Sequence, residues 1–196
     1  MFLQWGACNL LYPIAYERCM SEVSITNSIL VIVDLQNGFI NSKTRQVIKK
    51  IETAKKRLEY STCIFTKFSN SDTTAFSRFL HWNRLVTPDE QRIAIPISET
   101  DIIVDKTTYS ASVHDLKKLI DIQNVDNAYI CGVDTDGCVL ATAFALFDLG
   151  IKPSIIIDAC ASNGGMEYHR AAELIMRRSF GKEQVLELCE YLGGHK

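Results

Sequence analysis

Residues 129–150, YICGVDTDGCVLATAFALFDLG, contain the two signals that decide the fold. The run 129–133 is apolar and ends at Asp134, and a short continuous apolar run is typical of a strand buried on both faces. Residues 139–149 are apolar nearly all round, which predicts a helix over 138–149 that packs on both sides, against the chain or a partner subunit. Gly150 supplies its C-terminal stop.

The same combination of strand and helix recurs along the chain. Further short apolar runs predict strands at residues 29–33, 63–66, 102–104, 155–157 and 185–188. Helical periodicity appears at residues 43–59, 113–122 and 167–178. Strands that alternate with helices form βαβ units, in which helices cover both sides of a parallel sheet. The chain is therefore predicted to be an α/β protein.

The size and charge of the chain limit its architecture and its partners. Its 196 residues, 47% of them hydrophobic, suit one compact domain. A net charge of −2 and a pI near 6.1 leave no positive excess for a phosphate backbone, so nucleic acid is not expected as a partner. The basic residues between 43 and 57 have helical spacing, which is typical of the solvent face of an amphipathic helix. No apolar run has the length of a membrane span, so no membrane partner is expected.

The cysteines and the first residues of the chain indicate where in the cell the protein is expected to be located. The seven cysteines sit singly, without a C-x-x-C pair or a Cys/His spacing that holds zinc, which favours a reducing, cytoplasmic location. Residues 1–13 are apolar but lack the basic residues and the cleavage site of an export signal. We interpret residues 1–24 as an N-terminal extension outside the core fold and residues 25–196 as the single domain.

Polar side chains follow the apolar runs at the points where the strands end. In open parallel sheets functional groups gather beyond the carboxyl ends of the strands. This rule selects Asp34, Asp105, Lys106, residues 134–138 and Asp158.

A thiol, an acid and a base among these residues form a hydrolytic set. A cysteine attacks as a thiolate, and it needs a proton acceptor and local positive charge to become one. Asp34 can accept the proton of Cys138, and Lys106 can supply the charge. Cys138 also opens the predicted helix, whose free N–H groups and dipole favour an anion at sulfur and can hold an oxyanion.

Each of these residues also has a structural interpretation. Taken alone, Cys138 is typical of a buried core cysteine, Asp34 of a helix cap, and Lys106 of a solvated surface lysine. A Cys–His dyad with His114 or His169 is a further alternative, less favoured because neither histidine directly follows a strand. The glycines have neither a dinucleotide-binding nor a P-loop spacing, which disfavours a nucleotide cofactor.

Three segments, in order, resemble the signature segments of the isochorismatase-like cysteine hydrolases: IVDLQNGFI (32–40), VDKTTYSA (104–111) and CGVDTDGCVLATAFALFDLG (131–150). The later segment DACASNGGMEYHRAA (158–172) also fits the pattern of that family. The resemblance implies a three-layer α/β/α, Rossmann-like fold with a six-stranded parallel sheet. It also implies a catalytic triad of Asp34, Lys106 and Cys138.

The resemblance further implies a mechanism. The thiolate of Cys138 attacks an amide or related carbonyl, ammonia or an amine leaves, and water hydrolyses the thioester. Asp34 shuttles protons and Lys106 helps to hold the thiolate. The peptide between Val133 and Asp134 is expected to be cis, and the N–H groups of Asp134 and Cys138 are expected to face the oxyanion.

Two departures from the family narrow the expected reaction. Nicotinamidases of this superfamily carry an Asp and paired His metal site after the second strand, whereas FTKFSNSDTTAFSRFLHW (65–82) has Asp72 and His81 without such a pairing. We therefore expect neither a metal nor a cofactor. True isochorismatases often lack the cysteine and cleave a vinyl ether, whereas this chain keeps Cys138. The preferred hypothesis is hydrolysis of a C–N bond in a small amide, carbamoyl or ureido compound, with a vinyl ether hydrolase and a non-catalytic member of the fold as alternatives.

The segments next to the predicted triad carry several aromatic residues. Four residues there are predicted to bind a flat or apolar small-molecule substrate: Phe39, Phe68, Asn70 and Tyr109. Phe76 and Trp82 are interpreted instead as core aromatics. The apolar helix and the family resemblance both predict self-association as a homodimer or homotetramer.

Overall fold

The computed structural model describes residues 27–112, 114–117 and 125–194. The predicted extension at residues 1–24 lies outside the described residues, as does most of the predicted helix at 113–122, of which residues 114–117 are described and helical.

Six parallel strands form one sheet, which confirms the predicted α/β class. The strands are β1 (Ser28–Val33), β2 (Thr62–Phe68), β3 (Ile102–Lys106), β4 (Asn127–Val133), β5 (Lys152–Ala161) and β6 (Val185–Leu186). Their order across the sheet is β3-β2-β1-β4-β5-β6, with every neighbouring pair parallel.

Helices flank the sheet. They are α1 (Val47–Arg57), α2 (Ala75–Leu80), α3 (Pro88–Gln91), α4 (Leu140–Asp148), α5 (Met166–Phe180) and α6 (Leu188–Gly194). Helix α1 packs against β4, β5 and α6, while α4 and α5 pack against each other and against β5. Helix α1 buries Val47, Ile51 and Ala54 on one face, so its lysines form the predicted solvent face. Among the described residues, no helix has the length and apolar content needed to cross a membrane.

The centre of the sheet creates the crevice in which a site can form. Strands β1 and β4 are neighbours, but the chain runs outward from β1 towards β3 and from β4 towards β6. All seven residues of β4 are buried, as expected for a central strand covered on both faces. Beyond the carboxyl ends of β1 and β4 the connections diverge, and this leaves an opening at that edge of the sheet.

The predicted position of Asp158 at a strand end is wrong. Strand β5 continues to Ala161, and its pairing with β4 shifts register between Ile130 and Gly132. Asp158 therefore lies within the strand, where its carboxylate pairs with Lys50 of α1 and accepts a hydrogen bond of 2.9 Å from the backbone N–H of Leu188. It ties β5 to two helices, away from the crevice.

The helix after β4 also differs from its prediction. A π-helical turn, Thr135–Val139, precedes α4, so Cys138 lies inside this turn and does not open an α-helix. Helix α4 buries Thr142, Ala143 and Leu146 on one face only. Its exposed rings Phe144 and Phe147 contact Phe180 of α5. The predicted homodimer or homotetramer stays a prediction, and these rings are the apolar surface that it would cover.

Replacement of Ile130 by Ala tests the central position of β4. Ile130 is 0% exposed, so the Ile130→Ala variant is expected to lose about 2–5 kcal/mol of unfolding free energy in urea titrations. Ile103→Ala, on the edge strand β3 where the residue is 44% exposed, is the matched control and is expected to lose about 1 kcal/mol or less. Equal losses in the two variants would contradict this arrangement of the sheet.

Candidate active site

Three strand ends bring a carboxylate, an ammonium and a thiol together. Asp34 directly follows β1, Lys106 is the last residue of β3, and Cys138 lies in the π-helical turn after β4. The Nζ atom of Lys106 is 2.6 Å from Oδ2 of Asp34 and 3.4 Å from Sγ of Cys138. All three residues are buried. The structure thus brings together the three residues predicted as a triad.

The order of the strands explains why a lysine stands at position 106. Strand β3 is separated from β1 by β2, a distance of two interstrand spacings or roughly 10 Å. A long side chain is needed to cross that distance. The Nζ atom that contacts Asp34 lies 5.2 Å from the ring centroid of Phe68, the last residue of β2.

Asp34 is not a helix cap. Its backbone has a left-handed φ of 48°, and its Oδ1 accepts a hydrogen bond of 2.7 Å from the Thr66 hydroxyl on β2. The same hydroxyl accepts the Asp34 backbone N–H at 3.2 Å. The next helical turn, Asn37–Phe39, has Gln36 at its N-cap. The carboxylate of Asp34 is therefore directed to Thr66 and Lys106.

Lys106 is a buried and fully bonded lysine. Besides Asp34, its Nζ donates to the carbonyl oxygens of Thr108 and Tyr109, each at 2.9 Å. An ammonium has three N–H donors, and these three oxygens account for them. The Cys138 sulfur, at 3.4 Å, is a fourth and longer contact. The contact of Lys106 with the carboxylate is therefore shorter than its contact with the sulfur.

The surroundings of Cys138 favour the neutral thiol in the free protein. Burial raises the pKa of the Cys138 thiol well above its usual value, and the charge of Asp34 raises it further, whereas Lys106 lowers it. Because the Lys106 charge is paired with Asp34 at 2.6 Å, the pair as a whole offers the sulfur little net positive charge. The expectation that Lys106 and a helix N-terminus favour a thiolate at Cys138 stays a prediction, and the raised pKa opposes it.

A cavity of about 510 Å³ opens above this cluster. Cys138 lines it together with five aromatic residues: Phe39, Phe68, Phe76, Trp82 and Tyr109. The rings of Phe39 and Trp82 are nearly parallel, with centroids 5.8 Å apart and planes at 14°. The predicted substrate-binding residues Phe39, Phe68 and Tyr109 therefore line the cavity, and so do the two aromatics that were interpreted as core.

Asn70 does not line the cavity, although it was predicted to bind substrate. Its side-chain amide donates to the carbonyl oxygen of Trp82 at 2.7 Å, and its Oδ1 accepts from the backbone N–H of Ser71 and from the hydroxyls of Thr74 and Ser77. The residue is buried and folds the loop that carries Trp82. Its contribution to the cavity is therefore indirect.

Asp134 and Asn163 form a second polar group at the cavity. The peptide between Val133 and Asp134 is cis, as the resemblance implies. The backbone N–H and the side-chain amide of Asn163 donate to Oδ1 of Asp134 at 2.8 and 2.6 Å. Burial raises the pKa of the Asp134 carboxyl, and the bonds from Asn163 lower it in part. Asn163 was not singled out from the sequence, although it lies in the fourth segment of the family resemblance.

The two histidines do not form a dyad with Cys138. His114 is exposed and pairs with Asp115, its Nδ1 at 3.6 Å from Oδ1. His169 Nδ1 is 2.9 Å from the hydroxyl of Thr135, at the start of the turn that carries Cys138. Burial lowers the pKa of His169, which favours its neutral ring. His169 is thus placed to support the turn from outside the cluster.

The described residues offer no obvious metal site. Asp72 and His81, the residues of the stretch compared with nicotinamidases, are both exposed. In the described ranges, no three His, Cys, Asp or Glu residues are grouped so that they could hold a metal ion.

The site is thus a buried cluster of a thiol, a carboxylate and an ammonium at the carboxyl edge of a Rossmann-like sheet. The Isochorismatase domain family matches residues 28–184, so the chain belongs to that family.

Solved structures agree in fold. An isochorismatase-like hydrolase from Alkaliphilus metalliredigens is similar with a TM-score of 0.73 at 20% identity, over 86% of this chain and 99% of that protein. Nicotinamidase from Bacillus subtilis has a TM-score of 0.71 at 21% identity, over 83% and 100% of the two chains. Pyrazinamidase from Pyrococcus horikoshii in complex with zinc has a TM-score of 0.69 at 22% identity, over 83% and 99%.

Curated relatives match a shorter stretch. Mouse isochorismatase domain-containing protein 2B is 32% identical over 63 residues, which cover 32% of this chain. The chain spans about 30% of the length of that relative, and 19% of bovine isochorismatase domain-containing protein 2, with which it is 40% identical over 38 residues.

Removal of the Lys106 charge tests the buried ion pair. The Lys106→Met variant leaves the Asp34 carboxylate buried without its counter-ion, so a loss of about 3–5 kcal/mol in unfolding free energy is expected. Lys67→Met, which breaks the more exposed Lys67–Asp105 pair, is the control, with an expected loss of about 1 kcal/mol or less. Urea titrations that show the same small loss for both variants would contradict the buried pair.

Replacement of Asp34 by Asn tests the state of the Cys138 thiol. A raised pKa means that the thiolate, and with it iodoacetamide labelling of Cys138, appears only at a pH above the usual thiol range. The Asp34→Asn variant removes the charge that raises this pKa and leaves Lys106 unpaired, so the labelling midpoint is expected to move to lower pH. The Lys106→Met variant is expected to move it higher.

Labelling is followed at each cysteine by peptide mass spectrometry, because Cys189 is exposed and labels independently. A Cys138 midpoint that rises in Asp34→Asn, or that lies near neutral pH in the unmodified chain, would contradict a resting thiol.

Proposed function

We propose that this chain is a cysteine hydrolase that cleaves a C–N bond in a small amide, carbamoyl or ureido compound through a covalent thioester on Cys138. The observation that carries this proposal is the contact between Cys138 and the buried Lys106–Asp34 pair, at the inner end of a cavity with aromatic walls. A nucleophile, a proton acceptor and a binding cavity are the parts that acyl transfer needs.

The first half of the reaction forms the thioester. As the Cys138 sulfur attacks the carbonyl carbon, its proton passes to the carboxylate of Asp34. The developing oxyanion is stabilised by the backbone N–H groups of Asp134 and Cys138. Asp134 lines the cavity. Among the described backbone hydrogen bonds outside helices and strands, none is donated by the Asp134 N–H. Asp34 then returns the proton to the leaving nitrogen, and an amine or ammonia departs.

The second half releases the acid. Asp34, again a carboxylate, takes a proton from a water molecule that attacks the thioester carbon. Collapse of the second tetrahedral intermediate breaks the C–S bond, and the proton on Asp34 returns to sulfur. Lys106 orients Asp34 throughout and limits the cost of its charge in a buried site.

The raised pKa of the thiol fits this sequence of steps. A resting thiol needs a base within reach at the moment of attack, and the Asp34 carboxylate is bound by the same Lys106 ammonium that contacts the sulfur. Burial that disfavours a free thiolate also protects the cysteine from oxidants and unrelated electrophiles. The proton acceptor is therefore as necessary to the proposal as the nucleophile.

Replacement of Cys138 by Ala tests the proposal against its alternatives. With a panel of primary amides, N-carbamoyl compounds and ureido compounds, the Cys138→Ala variant is expected to lose on the order of 10⁴-fold or more in kcat/KM, measured by ammonia release. Cys160→Ala, which removes a buried cysteine outside this cavity, is the matched control and is expected to keep kcat/KM.

Retained amide hydrolysis in Cys138→Ala would contradict the covalent mechanism. Turnover of vinyl ethers that does not depend on Cys138 would favour the ether hydrolase. A chain that binds members of the panel but turns over none would favour the non-catalytic alternative.

A further inference from the structure

One charged side chain of the cavity has no part in the proposed chemistry. Among the described residues that line the cavity, Arg84 is the one cation. The one anionic residue of that lining is Asp134, whose carboxylate is already bonded twice by Asn163. A cavity with aromatic walls and a single uncommitted charge is selective for ligands of the opposite charge.

Arg84 is only weakly engaged within the protein. Its Nε is 3.7 Å from Oε1 of Glu90, which is beyond hydrogen-bond distance, and its side chain is 56% exposed. The other oxygen of Glu90 accepts the N–H groups of Val86 and Thr87 at 3.2 Å each. By contrast, Arg177 donates to Glu173 at 2.8 Å. The guanidinium of Arg84 is therefore free to take a better acceptor.

The positions of the cavity residues give a substrate its direction. Cys138 is 7% exposed, whereas the Arg84 side chain is 56% exposed, so the two residues line the same cavity at different depths. The parallel rings of Phe39 and Trp82 belong to the wall of the same cavity, and Asn70 fixes the carbonyl of Trp82, two residues before Arg84. A flat molecule against this wall can therefore present one end to the buried thiol and the other to the exposed guanidinium.

We propose that Arg84 binds an anionic group, a carboxylate in the simplest case, at the end of the substrate opposite the scissile C–N bond. This inference rests on the proposed function and narrows its substrate class to small, flat amides, carbamoyl or ureido compounds that carry a carboxylate. A guanidinium suits this ligand because its planar N–H donors match the two oxygens of a carboxylate. In the free protein Arg84 faces Glu90 at 3.7 Å. The substrate carboxylate takes the place of Glu90 as the partner of the guanidinium.

A matched pair of alkylating probes tests the inference without knowledge of the substrate. One probe is 4-(iodoacetamido)benzoate, and the other is N-(4-methylphenyl)iodoacetamide, which replaces the carboxylate by a methyl group. The second-order rate of alkylation of Cys138 is measured for each by peptide mass spectrometry at one fixed pH and low salt. Each rate is divided by the rate for glutathione, so that the intrinsic reactivity of the probe cancels.

The expected result is a preference for the carboxylate probe on the order of tenfold in the unmodified chain. The preference is expected to vanish in Arg84→Gln and to shrink as salt is added, because the pair lies at an exposed rim. In Glu90→Gln it is expected to rise, since the competing charge is gone while a glutamine can keep the capping contact with Thr87. Arg92→Gln, which removes a cation paired with Asp89 and outside the cavity lining, is the control and is expected to leave the preference unchanged.

Equal reaction of the two probes in the unmodified chain would overturn the role of Arg84, as would a preference that Arg84→Gln leaves intact. Either result leaves the proposed hydrolase standing, because that proposal depends on the loss of turnover in Cys138→Ala. Failure of both probes to reach Cys138 at any pH would overturn the inference and the proposed function together, since the cavity would then be closed to a substrate.

Discussion

The buried ion pair between Asp34 and Lys106 is the interaction on which the rest of the site depends. Taking a carboxylate and an ammonium out of water costs several kcal/mol per ion, and their mutual attraction offsets this cost only in good geometry. Here the geometry is good, with a contact of 2.6 Å and further bonds from Thr66 to the carboxylate and from the ammonium to two carbonyls. The pair fixes the end of β3 to the end of β1 across the intervening strand.

The pair also affects the protonation of the Cys138 thiol. A lysine facing the sulfur alone would stabilise a thiolate, but a lysine already neutralised by a carboxylate leaves the effect of burial largely unopposed. The same arrangement sets a proton acceptor beside the thiol. The pair therefore accounts for the raised pKa of the thiol in the free protein, and under the proposed function the same pair supplies the base for nucleophilic attack.

Chemistry and recognition come from different parts of the chain. The chemical groups lie at or just after strand ends, whereas the segment after β2 contributes four of the thirteen residues that line the cavity: Phe76, Leu80, Trp82 and Arg84. Strand ends are rigid, and loops vary with little effect on the core. Under the proposals made above, this division would allow Trp82 and Arg84 to select the substrate without disturbing the Asp34–Lys106 pair.

The sequence was sufficient to predict the elements that have a regular hydrophobic pattern. Buried strands such as β1 and β4 are continuous apolar runs, so their ends, and with them Asp34 and Cys138, could be located. Asp158 was misplaced because β5 carries a charged residue in mid-strand whose partner, Lys50, is distant in sequence. The role of Asn70 depends on loop contacts that have no periodic signature, and the protonation of the thiol depends on distances that no sequence pattern specifies.

The most direct test of this account is the infrared S–H stretch of Cys138 at neutral pH, taken as the difference spectrum between the unmodified chain and Cys138→Ser so that the other cysteines cancel. The account predicts an S–H band in the unmodified chain, and a shift of that band in Asp34→Asn as long as the thiol stays protonated. Absence of an S–H band from the unmodified chain would show a resting thiolate and would contradict the central role given to the neutralised ion pair.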